Sequence, residues 1–343
     1  MSQRVMEEKR GTSTMIRTEN LRKYFTADSD FLTRIFGWGD QTQIKAVDGV
    51  SFEIKKGEAY GLAGESGCGK TTLGKTLLRL HEPTAGKIYF DNTDISENAT
   101  FDESTFRTQA QAIQQNPYES LNPRFKVSRL VKEPLDIHNL YSRQDREEKV
   151  HETLEEVGLK PADDYWGQYP TELSGGEKQR VAIARAIIMD PDFIVADEPV
   201  SMLDVSIRAE ILKLLQRLQE ENDLSVLYIS HDLALLNYMC DRVGIMYLGK
   251  LVEEGPTGEV IGDPKHPYTQ ALLAATPTVE LDRKKTTPDL KGDVPDPIDL
   301  PPGCRFAPRC PEYMEKCSEA EPPMYDISEG HCARCVLYED GPQ

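Results

Sequence analysis

One octapeptide constrains the fold of this 343-residue chain more than any other segment. Its residues are Gly64, Glu65, Ser66, Gly67, Cys68, Gly69, Lys70 and Thr71. It fits the pattern G-x-x-x-x-G-K-[ST] and follows the apolar run AYGLAG, so a strand is predicted to turn directly into a helix here. Glycines let backbone N–H groups face an anion, and the helix N-terminus adds its dipole. The segment therefore predicts a phosphate-binding loop in an α/β layer.

The loop also suggests individual roles toward a nucleotide. We expect Lys70 to bridge the β- and γ-phosphates and Thr71 to bind Mg²⁺ through its hydroxyl group. Thr72, the next residue, belongs to the same predicted binding set, whereas Cys68 is expected to contribute its backbone rather than its thiol. Taken alone, the octapeptide leaves one alternative open, a glycine-rich turn followed by a chance Lys-Thr pair.

A second apolar run ends in two carboxylates. The residues from Phe193 to Ala196 are apolar, which predicts a buried parallel strand, and Asp197 and Glu198 follow at its carboxyl end. We expect Asp197 to hold the Mg²⁺ shell and Glu198 to orient or deprotonate an attacking water molecule. Solvated acids that cap a following helix are the alternative for this pair.

The composition excludes several classes of function. A formal net charge of -18 argues against binding to the phosphates of DNA or RNA, so no nucleic-acid partner is expected. No stretch approaches the roughly 18 to 20 apolar residues of a membrane-spanning helix. The start of the chain mixes both charges and lacks the apolar run of a secretory signal. These features predict a cytoplasmic chain that needs a partner for any role at a membrane.

The segment from Leu173 to Glu177, LSGGE, is followed by KQRVAIARA and resembles the signature motif of ABC transporter nucleotide-binding domains. Physically, Ser174, Gly175 and Gly176 open a helix whose N–H groups can bind an anion, although the chain already has its own phosphate loop. The resemblance implies that two domains meet head to tail, so that one chain's phosphate loop and the other's signature enclose each ATP. Locally, Ser174 also fits a helix N-cap.

The same resemblance implies further contacts with the nucleotide. Gln115, within IQQNP, is similar to the glutamine that senses the γ-phosphate at the Mg²⁺ site and contacts the permease, although Gln114 is an adjacent alternative. Asp204 matches an aspartate carried across the dimer interface. His231, which follows the run SVLYIS, matches the catalytic switch histidine that contacts the γ-phosphate.

An aromatic residue near the N-terminus is expected to bind the base. Phe25, or failing it Tyr24, matches the aromatic residue that stacks on adenine in the family, and core packing is a near-equal alternative for this ring. Between residues 26 and 45 we expect a short amphipathic insertion, for which core packing and permease contact are both open.

Nearly the whole chain resembles the ATPases of oligopeptide and dipeptide importers, in particular the second, F-type subunit of their ATPase pair. The segments that carry this likeness are GESGCGKTTLGK, QNPYESLNPR, SGGEKQRVAIARA, HPYTQALLAATP and GCRFAPRCPEYMEKC. The likeness implies an α/β fold: a P-loop NTPase domain of the ABC type over 15–258, with a helical subdomain over about 118–172. A small cysteine-rich C-terminal extension is predicted over 259–343, where a proline-rich linker precedes the cysteines.

Five cysteines crowd the last forty residues, and in a reducing cytosol such clustering favours metal binding over disulfides. Four thiolates suit either an iron–sulfur cluster or tetrahedral zinc. The resemblance implies a [4Fe–4S] cluster held by Cys304, Cys310, Cys317 and Cys335, with Cys332 as a spare or substitute ligand.

Together, the resemblance implies an ATP-binding and ATP-hydrolysing subunit that energises an importer of dipeptides or oligopeptides. The expected cofactors are ATP, Mg²⁺ and the cluster. The expected partners are a second homologous ATPase in a heterodimer, two membrane permease subunits and, indirectly, a substrate-binding protein. The expected location is peripheral, at the cytoplasmic face of the cell membrane. Alternatives are a subunit of an importer for nickel or another small solute, a permease-free soluble ABC protein, and a protein regulated through its cysteines.

Overall fold

The computed structural model describes residues 13–26, 43–97, 101–275, 298 and 300–341. Most of the insertion predicted between 26 and 45 lies outside these residues, and so does the proline-rich linker. The described residues fall into two compact units. The described residues within Met1–Met15, Ile54–Ala59 and Phe90–Ile229 form the first unit, and those within Ile16–Glu53, Tyr60–Tyr89 and Ser230–Gln343 form the second.

The described chain contains both strands and helices, as the sequence predicts for an α/β fold. The strands are β1 (Thr14–Thr26), β2 (Gln43–Lys55), β3 (Ala59–Ala63), β4 (Ala85–Phe90), β5 (Thr93–Asp94), β6 (Ala110–Ile113), β7 (Phe193–Asp197), β8 (Ser225–Ile229), β9 (Arg242–Tyr247), β10 (Lys250–Pro256), β11 (Tyr325–Ser328) and β12 (His331–Ala333). The helices are α1 (Lys70–Leu77), α2 (Glu103–Gln109), α3 (Pro117–Ser120), α4 (Val127–Ile137), α5 (Arg143–Glu156), α6 (Ala162–Trp166), α7 (Gly175–Ile187), α8 (Val205–Asn222), α9 (Leu233–Met239), α10 (Thr257–Gly262), α11 (Pro267–Ala275) and α12 (Lys316–Glu319). None of these described helices has both the length and the apolar character that crossing a bilayer requires.

The first unit contains a parallel sheet in the order β8, β7, β6. Phe193 of β7 pairs with Ser225 of β8 on one side and with Ala110 of β6 on the other. β8 is buried along its whole length. β7 is buried from Phe193 to Ala196, and Asp197 at its end is half-buried. Strands covered on both faces take continuous apolar runs, which is why FIVA and SVLYI form strands here. The two carboxylates after Ala196 therefore lie at the carboxyl end of this sheet.

The segment over about 118–172 consists of α3 to α6 and a 3-10 turn at Pro170–Glu172. The apolar positions that give it a helical pattern are at most 1% exposed: Leu130, Val131, Leu135, Leu154 and Val157. Ser142 caps α5, because its hydroxyl oxygen accepts a hydrogen bond from the backbone of Asp145 at 3.3 Å. The buried face of α4 packs on α7, where Arg185 forms an ion pair with Glu133 at 2.7 Å. These contacts attach the helical segment to the helix that begins at the signature motif.

The second unit holds two groups of hydrogen-bonded strands. One group has the order β2, β1, β4, and the other has the order β11, β12, β10, β9, β3. β3 runs parallel to β9, whereas β9 with β10, β10 with β12, and β11 with β12 are antiparallel pairs. Residues after 300 therefore extend the sheet that contains β3, the strand that feeds the phosphate loop.

A buried carboxylate joins the C-terminal elements. Glu253 of β10 is fully buried and accepts hydrogen bonds from the backbone N–H groups of Lys265 (2.8 Å) and His266 (2.9 Å). His331 of β12 lies 2.8 Å from the same carboxylate through its Nε2 atom. The predicted boundary after residue 258 falls inside α10, and it stays a prediction.

Candidate functional site

The phosphate loop lies in the second unit, between β3 and α1. Gly64 has a φ of 153° and Gly69 a φ of 108°, values that favour glycine. A Cβ atom on Gly64 would overlap the carbonyl oxygen of Met246, and one on Gly69 would overlap the carbonyl oxygen of Ala46. The loop is therefore pressed against neighbouring backbone, which these two glycines allow.

Lys70 is the first residue of α1, and its side chain folds back over the loop. Its ammonium group donates hydrogen bonds to the carbonyl oxygens of Gly64 at 2.8 Å and Glu65 at 2.9 Å. Thr71 is exposed in the first turn of α1, and Thr72 is half-buried. The start of α1 thus carries the ammonium and hydroxyl groups that the sequence predicts for phosphate and Mg²⁺.

The side chains in the middle of the loop point in different directions. Ser66 and Gly67 are exposed. Cys68 is 3% exposed, and burial raises the pKa of its thiol. Its carbonyl oxygen accepts a hydrogen bond from the backbone of Gly249 at 2.8 Å. A buried, protonated thiol is a poor ligand and nucleophile, so Cys68 serves the loop through its backbone.

Tyr24 and Phe25, two aromatic residues at the end of β1, differ in the contacts that their side chains make. The hydroxyl group of Tyr24 donates a hydrogen bond to Asp48 at 2.5 Å. Burial, followed by this bond, raises the pKa of Tyr24 to about 12. The half-buried ring of Phe25 meets His81 edge to face, with 5.4 Å between ring centroids, and Lys23 lies 4.9 Å from its centroid. Phe25 therefore keeps a partly exposed ring, as a base-stacking residue requires.

In the first unit, Glu198 follows β7 in an unusual backbone conformation. Its φ is 46°, in the left-handed region, which costs a residue with a Cβ atom about 1–2 kcal/mol. The surroundings hold this conformation: Glu198 donates from its backbone N–H to Ile229 at 2.9 Å, and its carbonyl accepts from the hydroxyl of Ser201 at 3.1 Å. Such strain is typical of functional positions.

The carboxylate of Glu198 also has a side-chain partner. The amide of Gln115 donates a hydrogen bond to Glu198 Oε2 at 2.9 Å. Gln115 is exposed, as is the neighbouring Gln114, but the contact to the carboxylate is made by Gln115. Gln115 is predicted to sense the γ-phosphate and Glu198 to act on the attacking water, but no sequence pattern predicts this hydrogen bond between them.

The signature motif forms the N-terminus of α7. The hydroxyl oxygen of Ser174 accepts from the backbone of Glu177 at 3.3 Å, and the Glu177 carboxylate accepts from the backbone of Ser174 at 2.8 Å. This reciprocal pair is a capping box, and the hydrogen bonds from Ser174 lower the pKa of Glu177. A Cβ atom on Gly176 would come within 2.8 Å of Ile207, so the second glycine also lets α7 approach α8. Ser174 itself remains exposed.

Two more predicted contacts sit at helix starts. Asp204 precedes α8, is exposed, and makes no side-chain capping bond. In the second unit, His231 is exposed immediately before Asp232, whose carboxylate caps α9 by accepting from Ala234 at 3.0 Å. The capping role belongs to Asp232, which leaves the imidazole of His231 on the surface.

The C-terminal cysteines form a thiol pocket, a small apolar pocket in the second unit. Four cysteines line it: Cys304, Cys310, Cys317 and Cys335. The backbone N–H of Cys304 donates to the carbonyl of Cys317 at 2.8 Å, which closes the loop between them. Burial raises the pKa of Cys310 to about 11 and that of Cys335 to about 12, so both thiols are protonated at neutral pH.

Cys332 does not line this pocket. It lies on β12 and donates a hydrogen bond from its thiol to Asp326 at 3.1 Å. In the described part of the chain, no three His, Cys, Asp or Glu side chains are arranged closely enough to hold one metal ion. The cysteines thus share a pocket without forming a ready-made ligand set.

Two residues outside the predicted set contact the phosphate loop. Tyr268 of α11 and Arg309, which follows the first cysteine of the tail, both bind Glu65. The sequence marks their segments, HPYTQ and RFAPRC, only through resemblance. No spacing or periodicity indicates that either side chain reaches a loop more than 200 positions away.

Two family models match the chain. The model described as ABC transporter matches residues 47–201, which include the phosphate loop, both carboxylates and the signature motif. The model described as Oligopeptide/dipeptide transporter, C-terminal region, matches residues 252–317, which include three of the pocket cysteines.

Curated relatives cover nearly the whole chain. It is 44% identical over 329 residues to the oligopeptide transport ATP-binding protein AppF of Bacillus subtilis, with 95% of this chain and 98% of the relative covered. It is 41% identical over 328 residues to the dipeptide transport ATP-binding protein DppF of Haemophilus influenzae, with 96% and 98% covered. Among solved structures, the dimeric post-hydrolysis state of the ATP-binding cassette MJ0796, bound to ADP and Pi, is 27% identical. It matches with a TM-score of 0.60, covering 71% of this chain and 99% of that one.

The fold and the motifs together define an ATP-hydrolysing cassette. The chain belongs to the ABC transporter family, among the ATP-binding subunits that carry the oligopeptide/dipeptide transporter C-terminal region. The predicted α/β fold of an ABC nucleotide-binding domain and the predicted ATPase activity are thereby confirmed, while the cysteine-rich extension stays a prediction.

The close approach at Gly69 yields a prediction for nucleotide binding. Gly69→Ala forces the loop away from Ala46, so we expect ATP to bind at least about tenfold more weakly, a loss of about 1.4 kcal/mol. Titration with a fluorescent ATP analogue measures this loss. The matched control is Gly258→Ala, because an added Cβ atom there meets open space. Wild-type affinity in Gly69→Ala would show that the loop tolerates a side chain and that its tight packing is irrelevant to binding.

Proposed function

We propose that the chain supplies ATP hydrolysis to an importer of oligopeptides or dipeptides. The names of its relatives support this substrate class, since AppF is named for oligopeptide transport and DppF for dipeptide transport. The match of residues 252–317 supports the same class. The observation that supports ATP binding most directly is the geometry of the phosphate loop. Gly64 and Gly69 have no room for a Cβ atom, and Lys70 follows them as the first residue of α1.

In this proposal the loop binds the phosphates, and Phe25 stacks on adenine. The ammonium group of Lys70 would pair with the β- and γ-phosphates. The hydroxyl oxygen of Thr71, the carboxylate of Asp197 and the amide oxygen of Gln115 are each proposed as a ligand for Mg²⁺, which would neutralise negative charge on the transferred phosphoryl group. Mg²⁺ prefers oxygen ligands of this kind. Thr71 is exposed, so its hydroxyl group is accessible to a bound ion.

Glu198 is the proposed group that orients or deprotonates the attacking water. Its strained backbone fixes the direction of the side chain, and the hydrogen bond from Gln115 holds one carboxylate oxygen. The carboxylate of Glu198 is then proposed to accept the proton of water. His231 is proposed to contact the γ-phosphate from its exposed position after β8. A fixed carboxylate is a better base than a mobile one, because no reorganisation precedes proton transfer.

We further propose that each ATP is enclosed between two ATPase subunits. Ser174 and Asp204 are exposed at the starts of α7 and α8, where the backbone N–H groups of a helix N-terminus can meet a phosphate held by a second subunit. MJ0796 was solved as a dimer bound to ADP and Pi, which supports this arrangement for a protein of the same fold. The second subunit is proposed to be a homologous ATPase, which makes the pair a heterodimer.

Membership of the ABC transporter family supports the remaining partners and the location that we propose. We place the ATPase pair at the cytoplasmic face of the cell membrane, against two permease subunits, with a substrate-binding protein acting indirectly. Closure of the pair on ATP would move the permeases, and hydrolysis would reopen it.

Glu198→Gln tests the proposed base. The amide keeps the size of the side chain but cannot accept a proton, so we expect the ATPase rate to fall by at least about 100-fold while ATP still binds. Steady-state phosphate release and ATP binding are measured on the same preparation. Glu210→Gln is the matched control, since Glu210 is an exposed glutamate that pairs with Arg180 at 3.2 Å. An unchanged rate in Glu198→Gln would remove this residue from the mechanism.

We also propose that the thiol pocket holds a [4Fe–4S] cluster, with tetrahedral zinc as the competing metal. Four cysteines lining one apolar pocket support this proposal. Burial raises the pKa of the Cys304, Cys310 and Cys335 thiols, so these thiolates would form only when a cation compensates their charge. The cluster would support the fold of the extension or sense redox state, since ATP hydrolysis is equipped by other residues.

Matched cysteine variants test the cluster and its fourth ligand. We expect protein purified without oxygen to contain about four iron and four sulfide per chain. Cys335→Ser should lose this iron, whereas Cys332→Ser should keep it, because Cys335 lines the pocket and Cys332 does not. Metal and sulfide analysis, with the visible absorbance of the protein, gives the result. Zinc without sulfide would exclude the cluster, and iron loss only in Cys332→Ser would reverse the ligand assignment.

A further inference from the structure

Two residues of the C-terminal extension form hydrogen bonds with Glu65, a residue of the phosphate loop. The hydroxyl oxygen of Tyr268 accepts a hydrogen bond from the backbone N–H of Glu65 at 2.9 Å. The guanidinium group of Arg309 donates to both carboxylate oxygens of Glu65, at 3.1 Å and 3.3 Å. All three residues belong to the second unit. The extension therefore binds the main chain and the side chain of the same loop residue.

The side chains of Tyr268 and Arg309 are buried and make further contacts of their own. Tyr268 is 1% exposed and Arg309 is 8% exposed. The ring of Tyr268 packs against Tyr247, with 4.5 Å between centroids, and against Phe306 at 5.5 Å. Arg309 also donates to the hydroxyl of Tyr247 at 3.3 Å. Buried aromatic packing and a two-pronged guanidinium–carboxylate pair both restrict rotation, so Glu65 is bound by rigid partners.

The bond from Tyr268 acts on the peptide unit that also binds Lys70. The N–H of Glu65 and the carbonyl of Gly64 belong to one planar peptide. The N–H points to Tyr268, while the carbonyl oxygen accepts from the ammonium group of Lys70 at 2.8 Å. Because this peptide unit is planar, fixing the direction of its N–H also fixes the direction of its carbonyl group. Tyr268 therefore helps to set the position of the Gly64 carbonyl oxygen that binds Lys70.

Arg309 links the same peptide region to the thiol pocket. It closes the 3-10 turn Ala307–Arg309, which lies between Cys304 and Cys310, and its backbone N–H donates to Phe306 at 2.9 Å. Phe306 and Ala307 line the thiol pocket. The orientation of Arg309 therefore depends on the turn that these two cysteines flank.

We propose that Tyr268 and Arg309 are positioning residues for the phosphate loop, which set the affinity for ATP by fixing Glu65 and, through it, Lys70. Neither residue needs to touch the nucleotide. The inference rests on the proposed role of the loop in phosphate binding. The C-terminal extension then contributes to nucleotide binding, because two of its residues fix the position of Glu65.

The test compares two tyrosine-to-phenylalanine variants in the full-length chain. Tyr268→Phe removes the hydroxyl that binds the loop, and we expect the KM for ATP to rise about fivefold with kcat nearly unchanged. Tyr338→Phe is the control, because its hydroxyl binds Lys265 at 3.1 Å within the same extension. We expect the control to keep the wild-type KM. Thermal unfolding of both variants shows whether either one merely destabilises the fold.

Arg309 is tested through its partner. Arg309→Gln should raise the KM for ATP about tenfold, and Arg309→Lys, which keeps the charge, should recover part of the loss. If Arg309 acts through Glu65, the double variant Arg309→Gln/Glu65→Gln is no worse than the more impaired of the two single variants. Additive effects in this cycle would overturn the proposed path.

Lys70→Ala separates failure of this inference from failure of the proposed function. Loss of ATP binding in Lys70→Ala, together with a wild-type KM in Tyr268→Phe, overturns the positioning role and leaves the ATP site standing. Wild-type ATP binding in Lys70→Ala overturns both.

Discussion

The phosphate loop depends on close packing between two glycines and two carbonyl groups. Gly64 lies against Met246 and Gly69 against Ala46, so closely that no Cβ atom fits at either position. This packing brings the loop back on itself, so that α1 begins at Lys70 and its ammonium group reaches the loop carbonyls. The strand before the loop, the helix after it and the backbone beside it are all needed to hold this turn.

The C-terminal extension supports the same loop from another side. Its residues add β11 and β12 to the sheet that contains β3, and the fully buried Glu253 ties β12 to the start of α11. From this base, Tyr268 and Arg309 reach Glu65. An uncompensated buried carboxylate would cost several kcal/mol, so the hydrogen bonds to Glu253 stabilise the extension in one arrangement.

The sequence predicts the local parts of this protein well because they follow short patterns. The run FIVAD forms β7, GESGCGKT forms the turn into α1, and Ser174 caps α7. Contacts between distant segments carry no such pattern. The bond from Gln115 to Glu198 spans 83 positions, and the bond from Glu65 to Tyr268 spans 203. The packing of Gly176 on Ile207 likewise becomes apparent only once tertiary contacts are known.

We propose that each ATP is bound by the phosphate loop of one ATPase subunit and enclosed by Ser174 of another. Native mass spectrometry in MgATP, applied to the Glu198→Gln subunit with its partner ATPase from the purified transporter, measures subunits and nucleotides together. We expect a dimer that carries ATP, and we expect it to dissociate into monomers when Ser174→Arg is added to the chain. ATP-loaded monomers that are equally abundant with and without Ser174→Arg would contradict this proposal.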